Sequence, residues 1–232
     1  MTGREVADGV RQGWQSGMLN ARPGGTSREP FPAGLHWLGA EDRSAALLVP
    51  PELPVGPVPL VVLLHGATSN PRQALPYLED EARQRGFLLL APKSQDYTWD
   101  VIRGGFGPDV GPLDLVLRVA FERFAVDPAR LGIAGFSDGA SYALSLGLVN
   151  GELFTHVLAY SPGFVVSGPR PGRPRIFVSH GVRDQVLPID RCSRRIVPVL
   201  REDGYEVDYR EFDGGHELRA DLVAAATDQL MA

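Results

Sequence analysis

Short runs of apolar residues alternate with longer amphipathic stretches along most of this chain. Runs that are too short for helices and apolar at almost every position are typical of strands buried on both faces of a parallel sheet. Five such runs predict buried strands, and the alternation in EVDYREF predicts a sixth strand at the edge of the sheet. These six segments are 59–66, 86–92, 131–136, 155–162, 175–181 and 206–212.

The stretches between these strands have the spacing of amphipathic helices. In the first of them Ala74, Leu78 and Ala82 share one face, and Gly86 follows as a helix stop. Strands that alternate with helices indicate a mostly parallel, doubly wound α/β sheet with right-handed crossovers and helices on both faces. The predicted helices are 71–85, 113–125, 138–149, 190–203 and 217–231.

The first fifth of the chain differs from this alternation. Residues 34–50 predict two further strands around a turn at 39–43, and the segment 50–58, rich in proline and glycine, leads into the central sheet. No repeat, low-complexity tract or change in composition marks a second domain. We therefore predict one domain over residues 1–232, in which residues 1–44 form N-terminal edge strands and loops.

The composition narrows the partners expected for this chain. Its 232 residues, of which 44% are hydrophobic and 22% charged, are enough for one large buried core. The formal net charge is −5, and the basic residues, almost all arginine, are scattered among acidic ones. Nucleic acid is therefore not an expected partner. No window approaches 18 apolar residues, so insertion into a membrane is not expected either.

The N-terminal residues and the cysteine content bear on location. The stretch MTGREVADGV lacks the apolar run of a signal peptide, so we expect a cytoplasmic protein. Cys192 is the only cysteine, which excludes an internal disulfide or a cysteine-based metal site and fits a reducing compartment. We expect neither a metal ion nor an organic cofactor.

The stretch GFSDGAS, residues 135–141, follows a predicted buried strand and begins a predicted helix. A serine between small residues at such a turn can adopt strained backbone angles and project its hydroxyl from the carboxyl edge of the sheet. Ser137 has this place, with Gly135 and Gly139 beside it. The alternative is a glycine-rich turn in which the serine only caps the helix. The strand before it and the helix after it favour a nucleophile.

A serine nucleophile requires a base, and an acid that orients the base. His216, in DGGHEL, follows the last predicted strand and precedes the final helix, so we assign it as the base. His65 and His180 stand in HG pairs at strand ends, where a buried structural imidazole is expected. Core or surface positions are expected for the remaining two histidines, His36 and His156.

His216 follows the predicted strand 206–212, and the strand before that one is 175–181. The acid is expected just beyond the end of strand 175–181. Asp184, in HGVRDQVLP, lies there, and its carboxylate can reach the second imidazole nitrogen. Two other acids compete with it. Asp190 fits better as a cap of the following helix, and Asp213 is too near His216 in the chain to point easily at the ring.

A reaction at a carbonyl also needs two N–H donors for the oxyanion. One normally comes from the residue after the nucleophile, which is Asp138, and the other from the loop after the third strand. In LLHGATSNP this second donor is most naturally Ala67, with Gly66 letting the backbone turn inward. A simple turn at the end of the strand is the alternative for this HG pair.

The blocks LHGA, GFSDGAS, HGVRDQVLP and GGHE resemble the phospholipase/carboxylesterase group of α/β-hydrolases, which includes the acyl-protein thioesterases. They resemble feruloyl and polyhydroxybutyrate depolymerase-like esterases less closely. The resemblance covers residues 45–232 and implies the α/β-hydrolase fold, with Ser137, Asp184 and His216 as the triad and Ala67 and Asp138 as oxyanion donors. The thioesterases commonly have glutamine after the serine. The acidic residue at this place in the present chain puts a thioester substrate in doubt.

The intervals between strands bear on substrate size. Lidded lipases usually carry a helical insert after the strand at 155–161, but only residues 161–174 intervene here, so no lid domain is expected. The longest irregular stretch is 92–112, in which glycines and prolines bar regular structure. Its aromatic residues are the candidate wall of a substrate pocket, or they pin the loop to the core. The substrate-binding candidates are Tyr97, Trp99 and Phe106, with Phe164 and Leu187 opposite.

These features together predict a cofactor-independent serine carboxylesterase that acts on small-molecule esters with small to medium acyl groups through an acyl-enzyme. Within enzymes, an acyl thioesterase or lysophospholipase is the main alternative and a cofactor-free perhydrolase a distant one. A non-catalytic binding protein of the same fold is the alternative from a different class. The sequence leaves open whether the chain acts as a monomer or as a homodimer.

Overall fold

The centre of the structure is an eight-stranded sheet. The computed structural model describes residues 13–39 and 45–232. Across the sheet the order is β1-β2-β4-β3-β5-β6-β7-β8, in which β2 is antiparallel to β1 and β4 and all other neighbours are parallel. The strands are β1 (Gly34–Leu38), β2 (Ala45–Val49), β3 (Val58–Leu64), β4 (Leu88–Ala91), β5 (Val126–Phe136), β6 (His156–Tyr160), β7 (Arg175–Gly181) and β8 (Val207–Phe212).

Helices follow most of the parallel strands. They are α1 (Pro71–Ala74), α2 (Glu79–Arg85), α3 (Val110–Arg123), α4 (Asp138–Val149), α5 (Ser193–Glu202) and α6 (Ala220–Met231). Short 3₁₀ helices cover Leu75–Tyr77, Asp100–Arg103 and Ile189–Arg191. In the described part of the chain, no helix is long and apolar enough to cross a bilayer.

Two apolar layers cover the two faces of the sheet. Successive side chains of a strand point to opposite faces, so Leu60, Val62 and Leu64 pack in a cluster with residues of α3, α4 and α5. Val61 and Leu63 pack on the other face with residues of α1, α2 and α6. The doubly wound arrangement expected from the apolar runs is confirmed.

The helix expected over 71–85 is broken in the middle. Pro76 has no N–H to donate, and the backbone around it forms the 3₁₀ turn Leu75–Tyr77. Leu78 then leaves the helical region at φ −129° and ψ 1° before α2 begins. The side chains of residues 71–85 thus keep helical spacing, although the backbone hydrogen bonding of the helix is interrupted near Pro76.

The stretch 92–112 has more regular structure than expected. It contains the 3₁₀ helix Asp100–Arg103, and α3 begins at Val110. Pro112 does not prevent this start, because the first turn of a helix has no intrahelical acceptors for its N–H groups. The expectation that glycine and proline bar regular structure throughout this stretch is wrong.

The edges of the sheet follow the expected pattern. β8 pairs with β7 alone, and β1 and β2 pair antiparallel. β5 begins at Val126 rather than at 131, with a register shift in its pairing with β3. Residues 40–43 of the turn predicted at 39–43 lie outside the described residues, as do residue 44 and residues 1–12 of the predicted N-terminal segment.

Parallel strands bring their carboxyl ends to one edge. The segments that follow β3, β5, β7 and β8 therefore lie along the same side of the sheet. They carry the residues from which the sequence predicts a reaction centre.

Candidate active site

The turn between β5 and α4 holds Ser137 in a strained conformation. Its φ of 58° and ψ of −122° lie in a region that residues other than glycine rarely adopt. A Cβ on Gly135 would lie 2.1 Å from the Gly139 carbonyl oxygen, and a Cβ on Gly139 would lie 2.2 Å from the Leu64 carbonyl oxygen. Only glycine fits at either place, so the packing of the first turn of α4 against β3 sets the strained turn.

Three of the predicted residues meet at this edge. The Ser137 Oγ lies 2.9 Å from Nε2 of His216, and Nδ1 of His216 lies 2.7 Å from Oδ2 of Asp184. Because Nδ1 faces a carboxylate, it carries the proton and donates it. Nε2 is then free to accept the hydrogen bond of the serine hydroxyl, as a general base must.

The segments after β7 and β8 bring Asp184 and His216 together. The Val182 and Arg183 N–H groups donate to the carbonyl oxygens of Phe212 and Gly214, so the pairing continues beyond the two strands. The Phe136 ring packs against the His216 imidazole at 4.7 Å between centroids. The imidazole is thus oriented by its backbone, by the carboxylate and by an aromatic contact.

The Asp184 carboxylate is buried but well supplied with donors. Its Oδ1 accepts from the Val186 and Leu187 N–H groups at 2.9 and 2.8 Å. Burial by itself would raise the pKa of Asp184, but the hydrogen bonds from His216, Leu187 and Val186 outweigh it and hold the pKa below its usual range. The group is therefore an anion at neutral pH, as its role towards His216 requires.

His180 contacts the same carboxylate, which its sequence position did not reveal. The ring is fully buried, as expected, and its Nε2 lies 3.2 Å from Asp184 Oδ2 and 2.8 Å from the Leu187 carbonyl oxygen. Its Nδ1 lies 2.6 Å from Ser193 Oγ. Burial lowers the pKa of His180, although its hydrogen bond to Leu187 and the Asp184 charge oppose this.

The loop after β3 lies against the nucleophile. A Cβ on Gly66 would lie 3.6 Å from the Ser137 Cβ, so the backbone just before Ala67 passes beside the serine. The Thr68 N–H donates to the Tyr97 carbonyl oxygen at 2.6 Å, which leaves it unavailable to a substrate. The Asp138 N–H is the first of α4, a position without an intrahelical acceptor.

His65, in the same loop, has the structural role that was expected. Its ring is fully buried, Nδ1 lies 2.8 Å from the Gly66 carbonyl oxygen, and Nε2 accepts from the Ser94 N–H at 3.1 Å. Both ring nitrogens are therefore engaged. This imidazole fastens the segment after β4 to the loop that carries Ala67.

Comparisons with known proteins address the fold. No protein-family model matches the sequence, and no curated protein sequence matches it. Esterase PE8 aligns with a TM-score of 0.65 and 23% identity over 79% of this chain and 95% of its own. FphF, a fluorophosphonate-binding serine hydrolase of Staphylococcus aureus, aligns with a TM-score of 0.68 and 15% identity over 87% of this chain and 100% of its own. A ferulic acid esterase of Anaeromyces mucronatus gives 0.62 and 16%, covering 90% and 93%.

This chain has the α/β-hydrolase fold. The alignments with esterase PE8 and FphF cover 79% and 87% of this chain at TM-scores of 0.65 and 0.68, so the eight-stranded sheet and its helices match these neighbours in architecture. Identities below 25% extend the likeness to the fold and no further. After β6, where lidded members of the fold carry an insert, residues 161–174 contain no helix and one isolated bridge between Gly172 and Gly151.

The expectation for Trp99 as a pocket wall is corrected by the structure. Its side chain is 1% exposed, its Nε1 donates to the His65 carbonyl oxygen at 2.7 Å, and its ring stacks on Tyr142 at 4.9 Å. A ring with both faces and its only polar atom engaged offers no surface to a substrate. Trp99 belongs to the core of the α/β-hydrolase fold and pins the 92–112 loop.

The other aromatic residues of this loop differ from Trp99 and from each other. Tyr97 is 58% exposed and lines a cavity of about 440 Å³ with Thr68 and Ser69, beside the Ala67 loop. Phe106 is half-buried, 6.1 Å from the Tyr142 ring and directly over Gly17. Tyr97 is therefore exposed and stays a predicted substrate contact, whereas Phe106 packs within the protein.

Phe164 and Leu187 lie on the other side of the serine turn. A Cβ on Gly163 would lie 3.2 Å from a Leu187 methyl carbon and 3.6 Å from the Ser141 Oγ, so Leu187 lies beside the nucleophile helix. Phe164 is the next residue along and lines a separate groove against α5. Both residues remain candidates for substrate contact.

The contrast between Trp99 and Tyr97 gives a direct test. We expect Trp99→Ala to lower the free energy of unfolding by about 3–5 kcal/mol, because it opens a cavity and leaves the His65 carbonyl unpaired. Tyr97→Ala removes an exposed ring and should change that free energy by no more than about 0.5 kcal/mol. Urea denaturation measures both values. A stable Trp99→Ala protein with altered substrate preference would show instead that Trp99 lines the substrate pocket.

Proposed function

We propose that this chain is a serine carboxylesterase that hydrolyses small to medium acyl esters through an acyl-enzyme. The observation that carries the proposal is the continuous hydrogen-bonded series from Ser137 Oγ through the His216 imidazole to the Asp184 carboxylate. The fold neighbours support it, since those named above are an esterase, a serine hydrolase and a ferulic acid esterase.

In the proposed acylation, Ser137 Oγ attacks the ester carbonyl carbon while its proton passes to Nε2 of His216. The imidazolium that forms is stabilised by its Nδ1–H hydrogen bond to the ionised Asp184. The tetrahedral intermediate collapses as Nε2–H protonates the leaving alkoxide oxygen. The alcohol departs, and the acyl group remains on the serine.

Deacylation repeats these steps with water as the nucleophile. His216 takes a proton from water, the resulting hydroxide attacks the acyl carbon, and the proton returns to Ser137 Oγ as the carboxylic acid leaves. The net reaction consumes one ester and one water and gives one acid and one alcohol. No group outside the chain is needed for this balance.

The negative oxygen of each intermediate requires donors that are already in place. We assign these donors as the N–H groups of Ala67 and Asp138, which flank Ser137 from the β3 loop and from the start of α4. Thr68 is excluded as an alternative by its bond to Tyr97. Backbone donors of this kind act mainly in the transition state, so they raise kcat more than they lower KM.

The size of the acyl group is inferred from what surrounds Ser137. The segment 161–174 forms no lid, and Tyr97 stands exposed beside the Ala67 loop. Asp138 Oδ2 accepts a hydrogen bond from Thr98 Oγ1 at 2.8 Å, so this acidic side chain is directed into the protein and holds the loop rather than the substrate. An open site of this form suits soluble short-chain esters better than long triglycerides.

The nucleophile assignment is tested by covalent labelling. A fluorophosphonate probe should label the parent protein at Ser137, and Ser137→Ala should abolish labelling and reduce hydrolysis of p-nitrophenyl butyrate to the background rate. Ser27→Ala, a change in an exposed segment, is the control and should behave as the parent. Circular dichroism checks that both variants fold. Normal turnover by a folded Ser137→Ala protein would disprove the mechanism.

A second test uses the fixed orientation of Asp184. Because two N–H groups hold Oδ1, Asp184→Asn should keep its carbonyl oxygen there and turn its amide nitrogen towards His216. The amide would donate to Nδ1 and leave the ring proton on Nε2, which could no longer accept from serine. We expect kcat for p-nitrophenyl butyrate to fall by about 10³- to 10⁴-fold with the fold retained. A loss below tenfold would show that Asp184 does not orient the base.

A further inference from the structure

A groove of about 360 Å³ lies beside the proposed site, between the segment after β6 and helix α5. Both segments follow the carboxyl ends of neighbouring strands, so its upper end is at the same edge of the sheet as Ser137. We call it the arginine groove. One part of its lining is apolar and another is basic, and the residues concerned are Phe164, Ile196 and Val199, and Arg170, Arg191 and Arg195.

The groove begins next to the reacting serine. Gly163, at its inner end, donates its N–H to the Ser141 Oγ at 2.9 Å, and Ser141 donates its own N–H to the Ser137 carbonyl oxygen at 3.1 Å. The Leu187 side chain also lies against Gly163, one turn from Asp184. The Gly163 end of the groove is therefore joined to the Ser137 turn through Ser141.

Two arginines of this groove lack partners. Within residues 13–39 and 45–232, Arg191 and Arg195 are the arginines whose guanidinium groups contact no acceptor, carboxylate or aromatic ring. Arg194, between them, pairs with Asp190 and Glu211. Arg170 pairs with Asp203 at the far end. Both side chains are exposed, so in a chain with a net charge of −5 this groove wall offers two cations to a ligand.

We propose that the arginine groove binds the charged end of the substrate, so that the preferred ester carries a carboxylate or phosphate-type group on an apolar chain. This inference rests on the esterase proposed above. The apolar wall at Phe164, Ile196 and Val199 takes the chain, and Arg191 and Arg195, four residues apart at the start of α5, take the anion. Guanidinium groups bind carboxylate and phosphate oxygens in paired hydrogen bonds.

Paired substrates test this inference. We would measure kcat/KM for p-nitrophenyl butyrate, for the p-nitrophenyl monoesters of glutaric, adipic and suberic acids, and for a phosphonate-ended analogue. A butyrate ester of a hydroxy acid carries its charge on the alcohol part. Its kcat/KM, compared with that of the charged acyl esters, shows on which side of the ester bond the anion is preferred. We expect an anionic ester to exceed the neutral one by about tenfold, and 1 M NaCl to remove most of that excess.

The variants separate the groove from the reaction centre. Arg191→Gln with Arg195→Gln should lower kcat/KM for the preferred anionic ester by about tenfold, mainly through KM, and leave the neutral ester within about twofold. Arg201→Gln, on the same helix and outside the groove, is the control. Equal rates for neutral and anionic esters in the parent, or an unchanged preference in the double variant, would overturn the proposal.

Different results are expected if the chain is not an esterase. In that case neither p-nitrophenyl butyrate nor the charged esters would be hydrolysed, and Ser137 would not be labelled. Calorimetric titration with suberate then tests the groove alone. Binding that is lost in the double variant supports the groove, and absence of binding to the parent overturns it.

A second inference rests on a different observation, the contact between His180 and Asp184. The His180 Nε2 faces two acceptors, the Leu187 carbonyl and Asp184 Oδ2, so it must carry the ring proton and donate. Nδ1 then accepts from the Ser193 hydroxyl, which fixes this tautomer. The geometry points to His180 as a positioning residue that holds Asp184 Oδ2 towards His216.

Replacements of similar size test this role. His180→Leu removes the donor and should lower kcat for p-nitrophenyl butyrate by about tenfold or more, with KM within about threefold. His180→Gln keeps an N–H at a similar reach and should recover most of the loss. Equal impairment of both variants would show that only packing matters, and parental kcat in the leucine variant would exclude the role.

Ser193→Ala decides the matter if His180→Leu does not fold. It removes the hydroxyl that holds Nδ1 and helps to orient the ring, while the ring and its Nε2 contacts stay in place. We expect kcat to fall several-fold with KM unchanged. An unchanged kcat would overturn the positioning role.

Discussion

The close approach of α4 to β3 is the constraint on which the rest of the site depends. It requires glycine at 139, the packing of the same helical turn on β5 requires glycine at 135, and Ser137 between them has a positive φ, at a cost of about 1–3 kcal/mol for a residue with a side chain. The buried helix α4, packed on β5 and β6, offsets that cost. In return the hydroxyl stands clear of the sheet, where a carbonyl carbon can reach it.

Asp184 organises the opposite side of the site. Its two oxygens receive hydrogen bonds from two backbone N–H groups and two imidazoles, so the buried charge is compensated on every side. If one donor is removed, the carboxylate can turn towards the donors that remain. Loss of the His180 contact would therefore alter the hydrogen bond between Asp184 and His216. The extended pairing between the segments after β7 and β8 keeps this cluster at a fixed distance from the serine.

The 92–112 loop is held to this framework by polar contacts as well as by Trp99. The N–H groups of Asp100 and Asp109 each donate to the other's carboxylate, at 2.7 and 2.8 Å, and Thr98 bonds to Asp138 next to the nucleophile. Burial raises the pKa of Asp109 to about 6, with the Gln95 N–H opposing the shift and the Asp100 charge adding to it. A loop tied at several points presents Tyr97 beside Thr68 and Ser69 in a defined position.

Local spacing determined much of this protein. Continuous apolar runs identified the central strands, which are buried on both faces, alternation identified the edge strand β8, and helical spacing identified most helices, because these patterns follow from backbone geometry and burial. GFSDGAS located the strained turn, and chain order located Asp184 and His216 at one edge. The sequence could not show that α2 would be separated from α1 at Pro76, that Trp99 would face inward, or that His180 would reach Asp184. Nor could it show that Arg191 and Arg195 would stay unpaired. Each depends on which distant segment a side chain meets, and only the packed tertiary structure decides that.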